Sequence, residues 1–293
     1  MNSSLIACAQ MGWSENTPEE QILTTLARLG YDGAPAEPRP GFTAKDTLAL
    51  YQRCGLKPAP GYFAADYWRP EQGKDILHRA QAMGRFTREL GLTEVYVATG
   101  GWNGYVGRRG LHRGEVAGRV TPEDGLTESE WQVFTETLNQ VGAILLAEGV
   151  RACYHNHVGS VTESGREMDR LLKDTDPSLI FLGPDTGHLA WAGVDVVEFT
   201  RKYASRILTI HVTDVKMAVV KQGVAAGWDY GGFASHGVFT ELGDGDVDLP
   251  AVFDLLKAAS FSGWIVVETD EITRPTAEES HRVSREYLKR IGF

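Results

Sequence analysis

Two histidines, His155 and His157, stand one residue apart in the stretch ACYHNHVGS (152–160), directly after an apolar, β-like run. Alternate residues of a strand face the same side, so both imidazoles would point the same way and could converge on one metal ion or one substrate. Because the chain holds only eight histidines, this spacing marks a candidate site. Its remaining members must come from other strands.

Further ionisable residues follow the ends of the next three apolar runs. Asp185 ends one run and His188 comes shortly after it, His211 lies in the next, and Glu268 ends the last. Each residue alone has an ordinary explanation as a hydrogen-bonded turn or a solvated strand cap. Their shared position at the ends of consecutive strands favours a divalent metal site. Imidazole and carboxylate ligands together suit Mn²⁺, Co²⁺, Fe²⁺, Ni²⁺ or Zn²⁺, whereas an all-oxygen set would indicate Mg²⁺ or Ca²⁺.

The elements that must position these residues alternate between strand and helix along the whole chain. The strand candidates are LIACAQ (5–10), GYDGAPAE (30–37), LKPAPGYF (56–63), TEVYVATGG (93–101), VRACYH (150–155), SLIFLGPD (178–185), ILTIHVTD (207–214) and GWIVVETD (263–270). A helical pattern follows each run, and the one over 127–149 opens with a capping box of Thr127 and Glu130. Eight such units predict an α/β fold, a closed (β/α)₈ TIM barrel with its active site at the C-terminal ends of the strands. We expect a single domain over residues 1–293.

Composition and charge narrow the class of partner. Hydrophobic residues make up 42% of the 293 residues and the formal net charge is −10, which argues against nucleic acid or an anionic membrane as partner. A metal-dependent endonuclease on the same barrel would also need a basic surface. No apolar run is long enough to span a bilayer and no signal-peptide pattern opens the chain, so we expect a cytoplasmic protein that acts on a small molecule. The three cysteines are widely separated, which is typical of reduced core thiols.

The C-terminal half of the chain closely resembles inosose dehydratases, members of the xylose-isomerase-like TIM-barrel (sugar phosphate isomerase/epimerase) superfamily. The motifs that carry this resemblance are YHNHVGS, DTGHLAWAG, RILTIHVTDVK, VFTELGDGDVDLPAVFDLLK and GWIVVETD. The N-terminal half resembles the family mainly in its alternation of strands and helices. The same superfamily holds ketose 3-epimerases and dehydroshikimate dehydratases.

The resemblance implies a divalent metal, usually Mn²⁺ or Co²⁺, with Mg²⁺, Fe²⁺, Ni²⁺ or Zn²⁺ as alternatives. The matching ligand positions are Asp185, His211, Glu268 and, where the family usually has a glutamate, His155. His157 and His188 fall where family members keep acid/base or substrate-contact residues, so we assign them to proton transfer without fixing which is the base. Barrels of this superfamily often pair, which allows a homodimer or a higher homo-oligomer.

The resemblance favours a metal-dependent carbon–oxygen lyase. Removal of the proton beside a carbonyl gives a metal-bound enediolate, and loss of a β-oxygen completes a dehydration or an alkoxide elimination. The expected substrate is a keto-cyclitol or keto-sugar, typified by 2-keto-myo-inositol in inositol catabolism or by a 3-keto-glycoside. A ketose epimerase or isomerase would use the same residues. A non-catalytic sugar-binding barrel is the third alternative.

Substrate contacts are expected from side chains near other strand ends and from two long loops. The candidate substrate-binding residues are Lys216, Glu37, Trp13, Trp102 and Trp191. The loops span 102–125 and 217–240, and loops of this length often carry binding residues. The first loop holds His112, Arg108, Arg109, Arg113 and Arg119. These residues suit either phosphate binding or a charged surface, and the resemblance favours an uncharged substrate.

Overall fold

The computed structural model describes residues 4–293, in which short parallel strands alternate with helices. The strands are β1 Ile6–Cys8, β2 Gly33–Pro35, β3 Lys57–Ala59, β4 Tyr62–Ala65, β5 Glu94–Thr99, β6 Arg151–Tyr154, β7 Ile180–Leu182, β8 Ile210–Val212, β9 Asp214–Val215, β10 Phe239–Thr240 and β11 Ile265–Val267. The α-helices are α1 Glu19–Leu29, α2 Ala44–Cys54, α3 Gly73–Glu89, α4 Glu128–Ala147, α5 Gly165–Asp174, α6 Thr186–Trp191, α7 Val196–Tyr203, α8 Met217–Ala226, α9 Tyr230–Ser235, α10 Leu249–Ala258 and α11 Ala277–Arg290.

Two parallel sheets join into one closed barrel. One sheet has the order β3-β2-β1-β11-β8 and the other the order β4-β5-β6-β7. The third barrel strand is broken at Pro60 and Gly61, so its first half, β3, pairs with β2 and its second half, β4, pairs with β5. The circle closes between β7 and β8, where parallel bridges join Leu182 to Ile207 and Asp185 to His211. The predicted α/β TIM barrel is thereby confirmed.

The helices form at the expected places because their ends carry the predicted signals. At the start of α4, Thr127 and Glu130 form the capping box, in which the Glu130 carboxylate accepts from the Thr127 backbone N–H at 2.8 Å. The buried faces of the helices pack around the barrel, and the core runs through its interior. Among residues 4–293, the structure contains no helix both long and apolar enough to cross a membrane.

The two long loops have more structure than their glycine-rich sequences indicate. The second contains α8 and α9, and Gly227 ends α8 with a left-handed φ of 72°. The first contains a 3₁₀ turn, Arg113–Val116, against which α9 packs. The loops therefore meet each other above the strand ends.

Candidate metal centre

Three predicted ligands, Asp185, His211 and Glu268, come together at the C-terminal ends of β7, β8 and β11. One donor atom from each lies within 4.8 Å of the others. Asp185 and His211 are fully buried, and the Glu268 side chain keeps 12% of its exposure. His211 Nδ1 contacts Glu268 Oε2 directly. The centre is therefore a compact set of one imidazole and two carboxylates, open on the Glu268 side.

Asp185 is held by neighbouring backbone and side-chain groups. Its Oδ1 accepts from the His188 backbone N–H at 2.7 Å, so Asp185 also caps α6. Its Oδ2 accepts from the Thr213 hydroxyl at 2.6 Å, and the Asn156 amide pairs with its backbone. Burial raises the pKa of Asp185 to about 6 although His188 and these hydrogen bonds lower it. A divalent cation would oppose that shift.

His155 lies beside this set and outside it. Its ring centroid is 5.0 Å from that of His211, and its Nε2 is 3.4 Å from the Tyr62 hydroxyl. Its Nδ1 is buried without a hydrogen-bond partner. Burial, followed by the nearby histidines, lowers the pKa of His155 well below its ordinary value. The imidazole is therefore neutral, and its Nε2 is the nitrogen that faces Tyr62 and the centre.

Tyr62, on β4, was missed by the sequence analysis. Its hydroxyl lies 3.1 Å from His211 Nδ1 and 3.3 Å from Glu268 Oε2. No sequence signal separates Tyr62 from other strand tyrosines, because its neighbours lie 93 or more residues away along the chain.

His157 and His188 form a second cluster with Asp270. The two ring centroids are 3.6 Å apart and the ring planes are tilted by 35°, and His188 Nε2 is 3.5 Å from Asp270 Oδ2. Burial and the neighbouring His188 lower the pKa of His157 to about 3. Burial also opposes protonation of His188, but Asp270, Asp185 and Glu268 together outweigh it and raise its pKa. Asp270 was missed, although residues two apart on a strand share a face and Glu268 was already a candidate.

Val158 contacts both rings of this pair through its backbone. Its carbonyl accepts from His157 Nδ1 at 2.7 Å. Its N–H donates to His188 Nδ1 at 3.4 Å. In the neutral forms of the two rings, these contacts place the proton of His157 on Nδ1 and that of His188 on Nε2.

Aromatic side chains cover the histidine pair. Trp102 lies 4.8 Å from His157 between ring centroids, and Tyr230 of α9 stacks on the same ring at 5.9 Å. Trp191 is buried and lies 6.2 Å from His188. Two of the three predicted tryptophans thus line this cluster.

The other predicted substrate contacts lie away from the histidine pair. Trp13 packs against His281 at 5.9 Å. Lys216 is half-buried at the start of α8, and within residues 4–293 the structure gives its ammonium group no hydrogen bond or ion pair. Glu37 accepts from the Tyr62 backbone N–H at 3.0 Å and lines a cavity of about 390 Å³ together with Tyr62 and Glu268. This cavity opens beside the three predicted ligands.

The arginines of the first loop are all engaged by protein groups. Their partners are Pro122 O for Arg108, Asp124 for Arg109, Glu167 and Ser160 O for Arg113, and Gly227 O and Trp228 O for Arg119. Arg113 is fully buried, so the surface-charge interpretation is wrong for it. His112 begins the 3₁₀ turn and its backbone N–H donates to Glu115. Of the four arginines, Arg109 and Arg113 are paired with carboxylates, whereas in the described part of the chain, residues 4–293, Arg108 and Arg119 bond only backbone carbonyls and keep an unpaired charge.

A family model described as xylose isomerase-like TIM barrel matches residues 23–291. The chain belongs to this family. An inosose dehydratase of Geobacillus thermodenitrificans is 29% identical over 281 residues, which cover 92% of this chain and 91% of that protein. An inosose dehydratase of Clostridium tetani is 35% identical over 144 residues, which cover 49% of this chain and 48% of that protein.

Solved structures of low sequence identity share the xylose isomerase-like barrel. The 3-keto-D-glucoside 4-epimerase of E. coli superposes with a TM-score of 0.71 at 14% identity, over 98% of this chain and all of that one. At this identity the match concerns the fold alone.

Proposed function

We propose that this member of the xylose isomerase-like family is a divalent-metal-dependent carbon–oxygen lyase that dehydrates a neutral keto-cyclitol, typified by 2-keto-myo-inositol. The observation that carries the proposal is the pairing of a His/carboxylate centre with two adjacent histidines, one of them beside Asp270. Inosose dehydratases among the relatives support the choice of substrate.

The donor chemistry of the centre fits a divalent metal. Asp185, His211 and Glu268 would hold it, and the neutral imidazole of His155, whose Nε2 faces the same side as Tyr62, is the fourth candidate ligand. Mixed nitrogen and oxygen donors suit Mn²⁺ or Co²⁺, our proposed ions. When bound, such an ion supplies Lewis acidity to the substrate's oxygens.

The backbone contacts of Val158 support His157 as the base and His188 as the acid. Because its carbonyl holds the proton of His157 on Nδ1, the Nε2 lone pair of that ring is free to accept a proton. Because its N–H faces His188 Nδ1, the proton of that ring stays on Nε2, on the side of Asp270. The lowered pKa of His157 keeps that ring unprotonated and able to accept a proton, and the raised pKa of His188 favours the protonated form that an acid needs.

Elimination then needs two proton transfers. His157 Nε2 removes the proton on the carbon beside the carbonyl, and the C–H electron pair becomes the new C=C bond. His188 acts from its protonated form: it gives its Nε2 proton to the β-oxygen as the C–O bond breaks and returns to the neutral ring, so the substrate loses water. Asp270 stabilises the charge of protonated His188. One proton has moved from His188 to His157 at the end of the step.

The charges around the site favour an uncharged substrate. The cavity beside Glu268 is also lined by Glu37 and Glu19, and its arginine, Arg39, is paired with Glu19. A phosphate group would meet these carboxylates and no free cation among the lining residues. We therefore expect sugar phosphates to be poor substrates. A homodimer or higher oligomer remains a prediction.

The test is an NMR assay in D₂O with protein stripped and reloaded with Mn²⁺ or Co²⁺. The substrates are 2-keto-myo-inositol, a 3-keto-glucoside and a phosphorylated ketose as the charged control. We expect metal-dependent loss of water from 2-keto-myo-inositol. Deuterium uptake or an inverted stereocentre without elimination would assign an epimerase instead, and unchanged substrates would remove the proposal.

Two variants separate the roles of the histidines. His157→Gln should lose both deuterium exchange and elimination by about 10²–10⁴-fold, the usual contribution of a general base. His188→Gln should lose elimination to a similar degree, about 10²–10⁴-fold, and retain exchange at the carbon beside the carbonyl. The reverse pattern would exchange the two assignments.

A further inference from the structure

Tyr62 lies at the boundary between the candidate metal centre and the cavity. We propose that Tyr62 is a further catalytic residue, whose hydroxyl donates a hydrogen bond to the carbonyl oxygen of the keto-substrate. The assignment rests on the proposed function for the identity of the substrate.

The position of the hydroxyl is the first argument. It lies within 3.1–3.4 Å of a nitrogen of His211, a nitrogen of His155 and a carboxylate oxygen of Glu268. These three side chains come from β8, from the end of β6 and from the end of β11. A group that reaches all three at once also reaches any small molecule that they bind together.

The ring of Tyr62 is fixed by its neighbours. It meets His155 edge-on at 5.0 Å and 86°, and His211 at 5.2 Å and 61°. Tyr96 packs against it at 5.3 Å, and its backbone N–H is held by the Glu37 carboxylate at 3.0 Å. Its hydroxyl is therefore placed before any ligand arrives, which is the condition for efficient electrostatic stabilisation.

The third argument is access. Tyr62 lines the cavity of about 390 Å³ beside Glu268. The groups nearest its hydroxyl are the Glu268 carboxylate and the imidazoles of His155 and His211. Tyr62 adds a donor to this set. The carbonyl oxygen of a keto-sugar gains negative charge when the neighbouring proton is removed, and a fixed hydroxyl donor stabilises that charge.

The experiment compares Tyr62→Phe with Tyr96→Phe as a matched control. Tyr96 belongs to the same aromatic cluster, 4.4 Å from His211 between ring centroids, but its hydroxyl bonds Thr209 instead of the site. For Y62F we expect kcat for 2-keto-myo-inositol to fall by about 10²–10³-fold, the effect of removing one oxyanion donor. We expect kcat of Y96F to stay within about threefold of the wild-type value, because the phenylalanine ring keeps the packing against Tyr62 and His211.

Two further readouts distinguish contact with substrate from a role in metal binding. The visible absorption of the Co²⁺-loaded protein and its Co²⁺ content should be the same in Y62F and wild type. Binding of 2-keto-myo-inositol, measured by calorimetry, should be roughly 2–10-fold weaker in Y62F, as for loss of one ordinary hydrogen bond.

The possible outcomes distinguish a wrong assignment of Tyr62 from a wrong proposed function. Unchanged kcat in Y62F, equal losses in Y62F and Y96F, or an altered Co²⁺ spectrum would each overturn the assignment. A wild type that binds the ketone without converting it would refute the lyase, and weaker binding in Y62F would then still support the contact. A wild type that neither binds nor converts it would overturn both.

Discussion

Replacing Arg113 by methionine should destabilise the protein strongly, although the residue lies in a long loop. The guanidinium is fully buried and pairs with Glu167 through both terminal nitrogens, at 3.0 and 3.1 Å. Its Nε donates to Ser160 O at 2.7 Å, and Glu163 lies 3.9 Å away. Methionine keeps an unbranched apolar side chain and removes the charge.

The magnitude follows from the carboxylates left behind. Removing one partner of a buried ion pair costs about 3–5 kcal/mol, because the remaining charge is uncompensated. Unfolding entropy of about 2.1 cal/mol/K per residue gives about 0.6 kcal/mol/K for this chain. The melting temperature of Arg113→Met should therefore fall by about 5–8 °C.

The loss should depend on pH in a defined direction. Burial already raises the pKa of Glu163 to about 7 with Arg113 nearby, and removal of the cation raises it further. A carboxyl whose pKa is higher in the folded state binds more protons there, so stability falls as the pH rises through that range. The difference between variant and wild type should thus be smaller at pH 5 than at pH 8.

Urea unfolding at both pH values measures this difference. The matched control is Arg108→Met in the same loop, where the exposed guanidinium makes one hydrogen bond, to Pro122 O at 3.0 Å. The control should change the free energy of unfolding by no more than about 0.5 kcal/mol. An Arg113→Met loss below about 1 kcal/mol, or one equal at pH 5 and pH 8, would refute the buried-pair reasoning.

Three other predictions concern buried carboxylates. Thr213→Val removes the hydroxyl that bonds Asp185 at 2.6 Å and should weaken metal affinity by about 10–100-fold in chelator competition; unchanged affinity would argue against Asp185 as a ligand. In wild type, the ionised form of buried Glu163 is disfavoured, its pKa being about 7 against an ordinary 4.5. Stability should therefore decline between pH 5 and 8, and Glu163→Gln should flatten that decline in urea unfolding. Asp214 accepts N–H groups of the 243–247 segment, so Asp214→Ala should cost about 2 kcal/mol or more while metal content, measured by elemental analysis, stays at the wild-type level.

The barrel and the three clustered ligands could be predicted because both depend on local pattern. Each strand run carries its own alternation, and the C-terminal ends of parallel strands meet at one rim, so Asp185, His211 and Glu268 could be grouped from position alone. Asp270, beside the histidine pair, could also have been found from its two-residue spacing to Glu268. Tyr62 joins the three ligands through side-chain reach across the barrel. That reach depends on register and rotamer, which the sequence pattern does not contain.

The structure of the two long loops could not be predicted from the sequence for a related reason. Glycine disfavours helix, yet Gly223 lies inside α8. The ring of Phe233 occupies the space beside it, so that a Cβ at this position would lie 2.1 Å from a ring carbon. Arg113 reads as a surface charge, yet its partner Glu167 lies 54 residues away. In both cases a distant contact overrides the local preference.

The loop after β6 contacts both clusters of the candidate site and the buried arginine of the first long loop. Asn156 holds the backbone of Asp185, and Val158 contacts both histidine rings through its backbone. Ser160, two residues further, accepts from the buried guanidinium of Arg113. The first long loop therefore supports the loop that carries His157 from outside, through a charge that touches neither histidine ring. If this support matters, Arg113→Met should lower activity by more than the small fraction of unfolded protein explains, because the contacts to both rings depend on where the Val158 backbone lies.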